Sequence, residues 1–276
     1  MVSKLSALSK RCAFLARLAQ VRMTLAYAFV VTCVSTALQC LGPAVQGRVI
    51  SHASTNLHNL SHGCVGTLLG SAFVVDAGPI YVWLPGLVCL LAMAELTWGS
   101  SRLVLAFTVG HIGATLLVAA GLASAVLFGW LSWPSVARAT DVGMSYGAAA
   151  VLGGLTMAMS RRWRPGWIGW WLAVGVAVVA VGRDFTDVGH AVALVLGMLM
   201  SVRLGRPAAW TPFRLALLSV AASFGYLVLA SASMVLATAS GVAGAALFAA
   251  VARWRASSAG GDGAAEEPRI DVGQCV

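Results

Sequence analysis

Charge is what this chain has least of. Asp, Glu, Lys and Arg make up 10% of its 276 residues, against about 25% in soluble globular proteins. A water-facing surface cannot be built from so few charges, which excludes a soluble globular protein. Acid is scarcer than base, with 9 Asp and Glu against 18 Lys and Arg, and lysine occurs only at Lys4 and Lys10. Cysteine is present without pattern: Cys12, Cys33, Cys40, Cys64, Cys89 and Cys275 form no CxxC pair. They read as small buried apolar residues rather than zinc or redox ligands. Polar and apolar residues do not alternate along the long apolar runs, which excludes the strands of an outer-membrane barrel. No segment repeats with a period of 20–50 residues, so no solenoid or array is encoded.

What is there is hydrocarbon. Hydrophobic residues are 59% of the chain and the mean hydropathy is +0.87. Apolar runs long enough to cross about 30 Å of bilayer core recur along the whole length. Without alternation only helices can span, so the expected fold is all-α, a polytopic transmembrane bundle. The net charge of +9 is explained by topology rather than by nucleic acid, because the basic residues cluster between spans. Lys4, Lys10, Arg11, Arg17 and Arg22 precede the first span and predict a cytoplasmic N-terminus. The first run is too long for a signal peptide and is expected to stay as an anchor. Arginine over lysine, with abundant Ala, Gly and Val, points to a bacterial genome rich in GC and hence to a bacterial plasma membrane.

Six spans are expected over about 23–41, 80–96, 103–125, 142–159, 167–181 and 188–202. Between the first two lies the polar stretch "GRVISHASTNLHNLSHG", predicted to lie outside and partly in the membrane interface. "RRWR" at 161–164 and Arg203 with Arg206 mark the inside. The apolar run from Pro212 to Ala252 is about 60 Å long as one helix, twice the bilayer, so two spans hinged near "SAS" (231–233) are preferred to one. The division read from this is a basic segment 1–22, a six-helix membrane domain 23–205, one or two further helices in 206–254, and a disordered acidic tail 255–276.

The phrase "TDVG" occurs twice, at 140–143 and 186–189, each time where an apolar run begins. Thr and Asp are good helix N-caps, and an acid there suits the positive end of the dipole. Asp141 and Asp187 are therefore read as caps, with Gly143 and Gly189 allowing close approach of two parallel helices. The residue two beyond Gly143 is Ser145, and the one directly after Gly189 is His190. If the fourth and sixth spans touch, hydroxyl and imidazole lie at similar depth and can bond. That is the minimum for an activated serine, with unbonded N–H groups of the fourth helix available to an oxyanion. The competing reading is ordinary small-residue packing in membrane helices.

On these residues the chain resembles the rhomboid family over about 23–205. "GMSYGAAAVLGG" (143–154) is similar to the family's serine motif opening the fourth helix. "GHAVALVLG" (189–197) is similar to its histidine motif opening the sixth, with Ala193 and Gly197 on the His190 face. "AELTWGSSRLVLAF" (94–107) resembles the Glu-containing turn between helices 2 and 3, and "NLHNLSHGCVGTLLGSAF" (56–73) the approach to helix 2. The resemblance implies a rhomboid-like six-helix core and an intramembrane serine endopeptidase cleaving transmembrane segments, with Ser145 as nucleophile, His190 as general base, and Gly143 and Gly147 framing the serine. A catalytically inactive relative that binds membrane-protein clients is the alternative. The chain departs from the family pattern in three places. "PIYVWLPG" (79–86) has neither the His nor the Asn expected on helix 2, Tyr146 follows the serine where Gly is usual, and the outer loop lacks a Trp-Arg pair.

Other polar residues have plainer readings. His111 is either a third polar member of the site or a donor to Thr115 or a backbone carbonyl. His58 and His62 are four apart, a spacing compatible with a metal, but read better as solvated loop residues beside His52. Glu95 is expected to pair with Arg102 or to cap the third span. Trp163, Trp167, Trp170 and Trp171 read as an interfacial belt. No metal or organic cofactor is implied. The expected partners are membrane lipids and a transmembrane-protein substrate or client, not nucleic acid.

Overall fold

The computed structural model describes residues 18–76, 80–182, 184–205, 209–230 and 233–261. The basic residues before Leu18, Cys12, Arg183, Arg206, part of the "SAS" hinge, the acidic tail and Cys275 lie outside the described residues. The chain is an all-α bundle. Its elements are α1 (Arg22–Cys40), α2 (Pro43–Ala53), α3 (Leu57–Ser61), α4 (Thr67–Gly70), α5 (Ile80–Trp98), α6 (Ser100–Leu127), α7 (Trp133–Val136), α8 (Ser145–Gly154), α9 (Arg164–Gly182), α10 (Phe185–Leu204), α11 (Pro212–Leu229) and α12 (Met234–Gly261). Short 3₁₀ turns follow α4 and α8.

Seven of these helices are long and apolar enough to cross a membrane: α1, α5, α6, α9, α10, α11 and α12. The run after Pro212 is thus two helices, as its length demanded. The eighth apolar segment, Ser145–Ala158, is shorter. At 14 residues it rises about 20 Å, too little to meet lipid headgroups on both sides. It is instead the centre of the bundle, with every residue from Tyr146 to Gly154 buried. Its composition explains this. Gly147 lies on the Phe107 ring of α6, Gly153 on the backbone of α10 at Leu194, and Gly154 on Trp98 of α5. Small residues let three neighbours close onto one short helix at backbone distance.

The outer loop folds into α2, α3 and α4. Ile50 and Val74 pack with Leu38 of α1, and Tyr27 of α1 donates to the Ala72 carbonyl at 2.6 Å, so this loop is part of the bundle.

Helix ends on the opposite face are closed by residues from other helices. No side chain of its own caps α1. Its N-terminus is capped by Glu95, buried at 2% exposure at the end of α5. That carboxylate accepts from the Met23 N–H (3.0 Å), the Thr24 N–H (2.8 Å), the Thr24 hydroxyl (2.7 Å) and the Ser100 hydroxyl (2.7 Å). A buried anion at a helix N-terminus meets N–H groups and the positive dipole end together. The pairing with Arg102 expected from sequence does not form. Arg102 instead donates to the Leu204 carbonyl ending α10 (3.1 Å), and Arg214 donates to Leu96 ending α5 (3.1 Å). The cysteines correct another expectation: Cys33, Cys40 and Cys64 are free and exposed, not buried.

Candidate functional site

The segment before α8 is tied to the outer loop by four backbone-directed bonds. His58 N–H donates to Ala137 O (2.8 Å), Thr55 N–H to Asp141 O (2.9 Å), and Gly143 N–H to Ser71 O (2.8 Å). Asp141 N–H donates to Ser54 Oγ at 2.8 Å. Gly143 has φ +115°, a conformation that side-chain-bearing residues rarely adopt, and this turns the chain sharply into the bundle. Ser145 is the first residue of α8, and Met144 before it contributes no side-chain cap.

The first TDVG is therefore an extended tether and not a helix cap. The second lies inside α10. Its cap is Asp184, whose carboxylate accepts from Thr186 N–H at 3.3 Å, and Asp187 is buried in the first turn. The shared helix-start device expected from the repeated phrase is absent. In one place the outer loop supplies better partners for the backbone, and in the other an acid three residues upstream takes the cap.

The fourth and sixth expected spans do touch, as α8 and α10. The Ala150 backbone sits where a Cβ at Gly197 would go, and the Tyr146 ring where one at Gly189 would go. Ala193 is fully buried on α10. The α8 residue that meets His190 is Tyr146. The two rings stand edge to face with centroids 5.3 Å apart, and Tyr146 is 2% exposed. Successive helix residues are about 100° apart around the axis. Ser145 therefore lies one step round the helix from Tyr146, and no hydrogen bond joins it to His190 among the described residues. Ser145 is partly exposed. His190 is 9% exposed, and neither ring nitrogen has a hydrogen-bond partner among the described residues. The first backbone bond into α8 is Ala148 N–H to Met144 O at 2.9 Å, which leaves the N–H groups of Ser145, Tyr146 and Gly147 as the helix's unbonded first turn.

His111 of α6 stands on the far side of Tyr146, with ring centroids 6.5 Å apart. Its Nε2 meets Ser71 Oγ at 3.1 Å, and Ser71 Oγ accepts from Thr55 Oγ1 at 3.1 Å. Its partners are thus in the outer loop, the Ser71 hydroxyl and the Leu68 backbone, rather than Thr115. Thr55, Thr115, Asp141 and Phe185 border a small cavity of about 10 Å³, room for roughly one water. Asp141 lies outside the spans, and burial pushes its carboxyl from the ordinary 3.8 up to about 6. The Tyr146 hydroxyl, without a hydrogen bond among the described residues, is near enough to offset part of that rise.

The outer-loop residues Ser54, Thr55 and Ser71 were not singled out from sequence. The only signal was the hydroxyl-rich "SHAST" just before the His-containing stretch. The rings of His58 in α3 and of His62 at its C-cap are tilted against each other with centroids 4.3 Å apart, and His62 bonds back to the His58 carbonyl at 2.7 Å. Among the described residues no three His, Cys, Asp or Glu side chains converge as a metal site would require.

A family model described as a rhomboid-like protein matches residues 17–208. Comparison with curated proteins and with solved structures finds no match. The matched region takes in α8, α10 and the outer loop that tethers them, and stops before α11. A match over so much of the chain shows its family: the chain belongs to the rhomboid-like proteins.

Proposed function

We propose that this multi-pass membrane protein is an intramembrane serine endopeptidase of the bacterial plasma membrane, with Ser145 as nucleophile and His190 as general base. The observation that carries this reading is the state of His190. A buried polar side chain is normally hydrogen-bonded, and an ionisable residue inside a membrane bundle is a functional site by default. Neither ring nitrogen of His190 has a hydrogen-bond partner among the described residues, yet it is held beside the helix whose first residue is Ser145. In the proposed reaction the Ser145 hydroxyl attacks a peptide carbonyl of a transmembrane segment while His190 takes its proton. The unbonded N–H groups at the start of α8 receive the oxyanion, and His190 returns the proton to the leaving amine. A one-step rotation separates Ser145 from the His190 face, so the dyad closes only when Tyr146 yields or α8 turns.

A second reading is favoured by Tyr146 itself. A ring packed edge-on against the imidazole suits a relative that binds membrane-protein clients without cutting them. The two readings separate on one experiment. Purified protein in liposomes is treated with a fluorophosphonate probe, beside Ser145→Ala and His190→Ala. Labelling of the wild type that both substitutions abolish supports the protease. Absence of labelling in a folded wild type assigns the chain to the binders.

A further inference from the structure

A groove of about 1190 Å³ opens between α9, α11 and α12, away from Ser145, with its α11 and α12 walls beyond the family match. Its shape follows from how the three helices join. α9 and α12 pack at backbone distance, with Gly169 against Gly244. α11 is drawn the other way, onto α5 and α8, by Phe224 on Gly86 and Gly225 on Leu152. Near their outer ends α11 and α12 are pinned together by the Tyr226 hydroxyl, 2.8 Å from Met234 O and 2.6 Å from Thr238 Oγ1. Toward the other face they splay apart. Arg161, Arg162 and Arg253 border that open end and are exposed. Arg162 lies over the Trp163 ring, 5.7 Å from its centroid. Trp167 and Trp170 wall the interior. Tryptophan and arginine together mark the headgroup level of a membrane. From there the groove reaches Leu227, 15 residues along α11 from Pro212 and so roughly 22 Å into the bilayer.

We propose that this groove is a binding site for an anionic phospholipid, with its phosphate on the three arginines and an acyl chain along the tryptophan wall. The argument is charge complementarity combined with depth. Arginine pairs with phosphate through paired N–H donors, and basic pockets between transmembrane helices take anionic headgroups. A soluble phosphate matches the mouth and leaves the apolar depth empty. A zwitterionic lipid brings its cation against the arginines. The site is independent of Ser145 and stands whether or not the protein cuts.

The test is native mass spectrometry of the full-length protein in detergent. It is titrated with phosphatidylglycerol and with phosphatidylcholine of the same acyl chains, and separately challenged with glycerol phosphate. The expected result is a phosphatidylglycerol preference that falls on the order of tenfold or more in Arg161→Gln/Arg162→Gln/Arg253→Gln. Ala222→Trp, which fills the wall and keeps the arginines, should lose both lipids. Far-UV circular dichroism checks that the variants are folded, and the wild-type comparison of the two lipids needs no variant. Equal retention of both lipids in the wild type overturns the proposal. So does an undiminished preference in the arginine variant, or displacement by glycerol phosphate alone. A preference that emerges only when residues 262–276 are removed assigns the groove to the chain's own acidic tail, and also overturns it.

Discussion

At Tyr146 one side chain separates the two proposed readings. Its ring fills the space between α8 and Gly189 that a smaller residue would leave open to the His190 imidazole. Tyr146→Ala is expected to cost roughly 3–5 kcal/mol of stability, as large-to-small core changes do, and to raise the rate of fluorophosphonate labelling at Ser145. A slower rate in the folded variant would instead make the ring a support for His190. Asp141 offers a pH readout. Its carboxyl is raised in the folded state from 3.8 to about 6, so the folded protein binds the more protons between those values. Stability then falls as pH rises from about 4 to about 6, and is level above. The full effect is on the order of 1–3 kcal/mol. Thermal melts from pH 4 to 8 should show this fall in the wild type, reduced in Asp141→Asn. Identical profiles would mean that the carboxyl is not buried as described.

The elements depend on one another for their ends. α1 has no cap of its own, and Glu95, about 70 residues later, supplies it together with a bond to Ser100 at the start of α6. Removing the carboxylate strands two N–H groups and two hydroxyls, each costly when buried and unpaired. Glu95→Ala is expected to destabilise by about 3 kcal/mol or more and Glu95→Gln by less, measured by thermal melts in detergent. Equal loss in both would point to packing volume rather than to the hydrogen bonds. Close packing is as specific as capping. α8 meets three helices through glycine and alanine, and the sequence had already shown that small-residue pattern. What it could not show was that the helix stops at ten residues plus a 3₁₀ turn. That length is set by the tether to the outer loop above and by the turn at Ser160 below.

For the whole molecule, the eight apolar segments alternate in direction. That puts Arg22, Arg102, Arg161, Arg162, Arg203, Arg214, Arg253 and Arg255 toward one face, and Arg48 and Arg138 toward the other. This asymmetry is the signal that orients membrane proteins, and it predicts that the basic face is cytoplasmic. An even number of crossings returns the chain to the side on which it started. Reporter fusions before Arg22 and after Arg255 should therefore both read cytoplasmic, and a fusion in the 128–136 loop external. Opposite readings at the two ends would mean that one apolar segment does not cross.

Sequence by itself determined that this chain is a helical membrane bundle. Apolar runs with few charges have no other stable form in lipid, and each expected span lies within about three residues of an observed helix for the same reason. It also brought Ser145 and His190 to neighbouring helices at similar depth, because the small residues around them dictate which faces meet. Only the tertiary structure decided which side chain meets the imidazole. A one-residue step along a helix turns a side chain by about 100°, so Tyr146 rather than Ser145 faces His190. The same holds for the repeated TDVG, for Glu95 and for His111. Their partners lie many residues away on other elements, and a backbone group takes the best partner that folding brings to it, whatever the local phrase suggests.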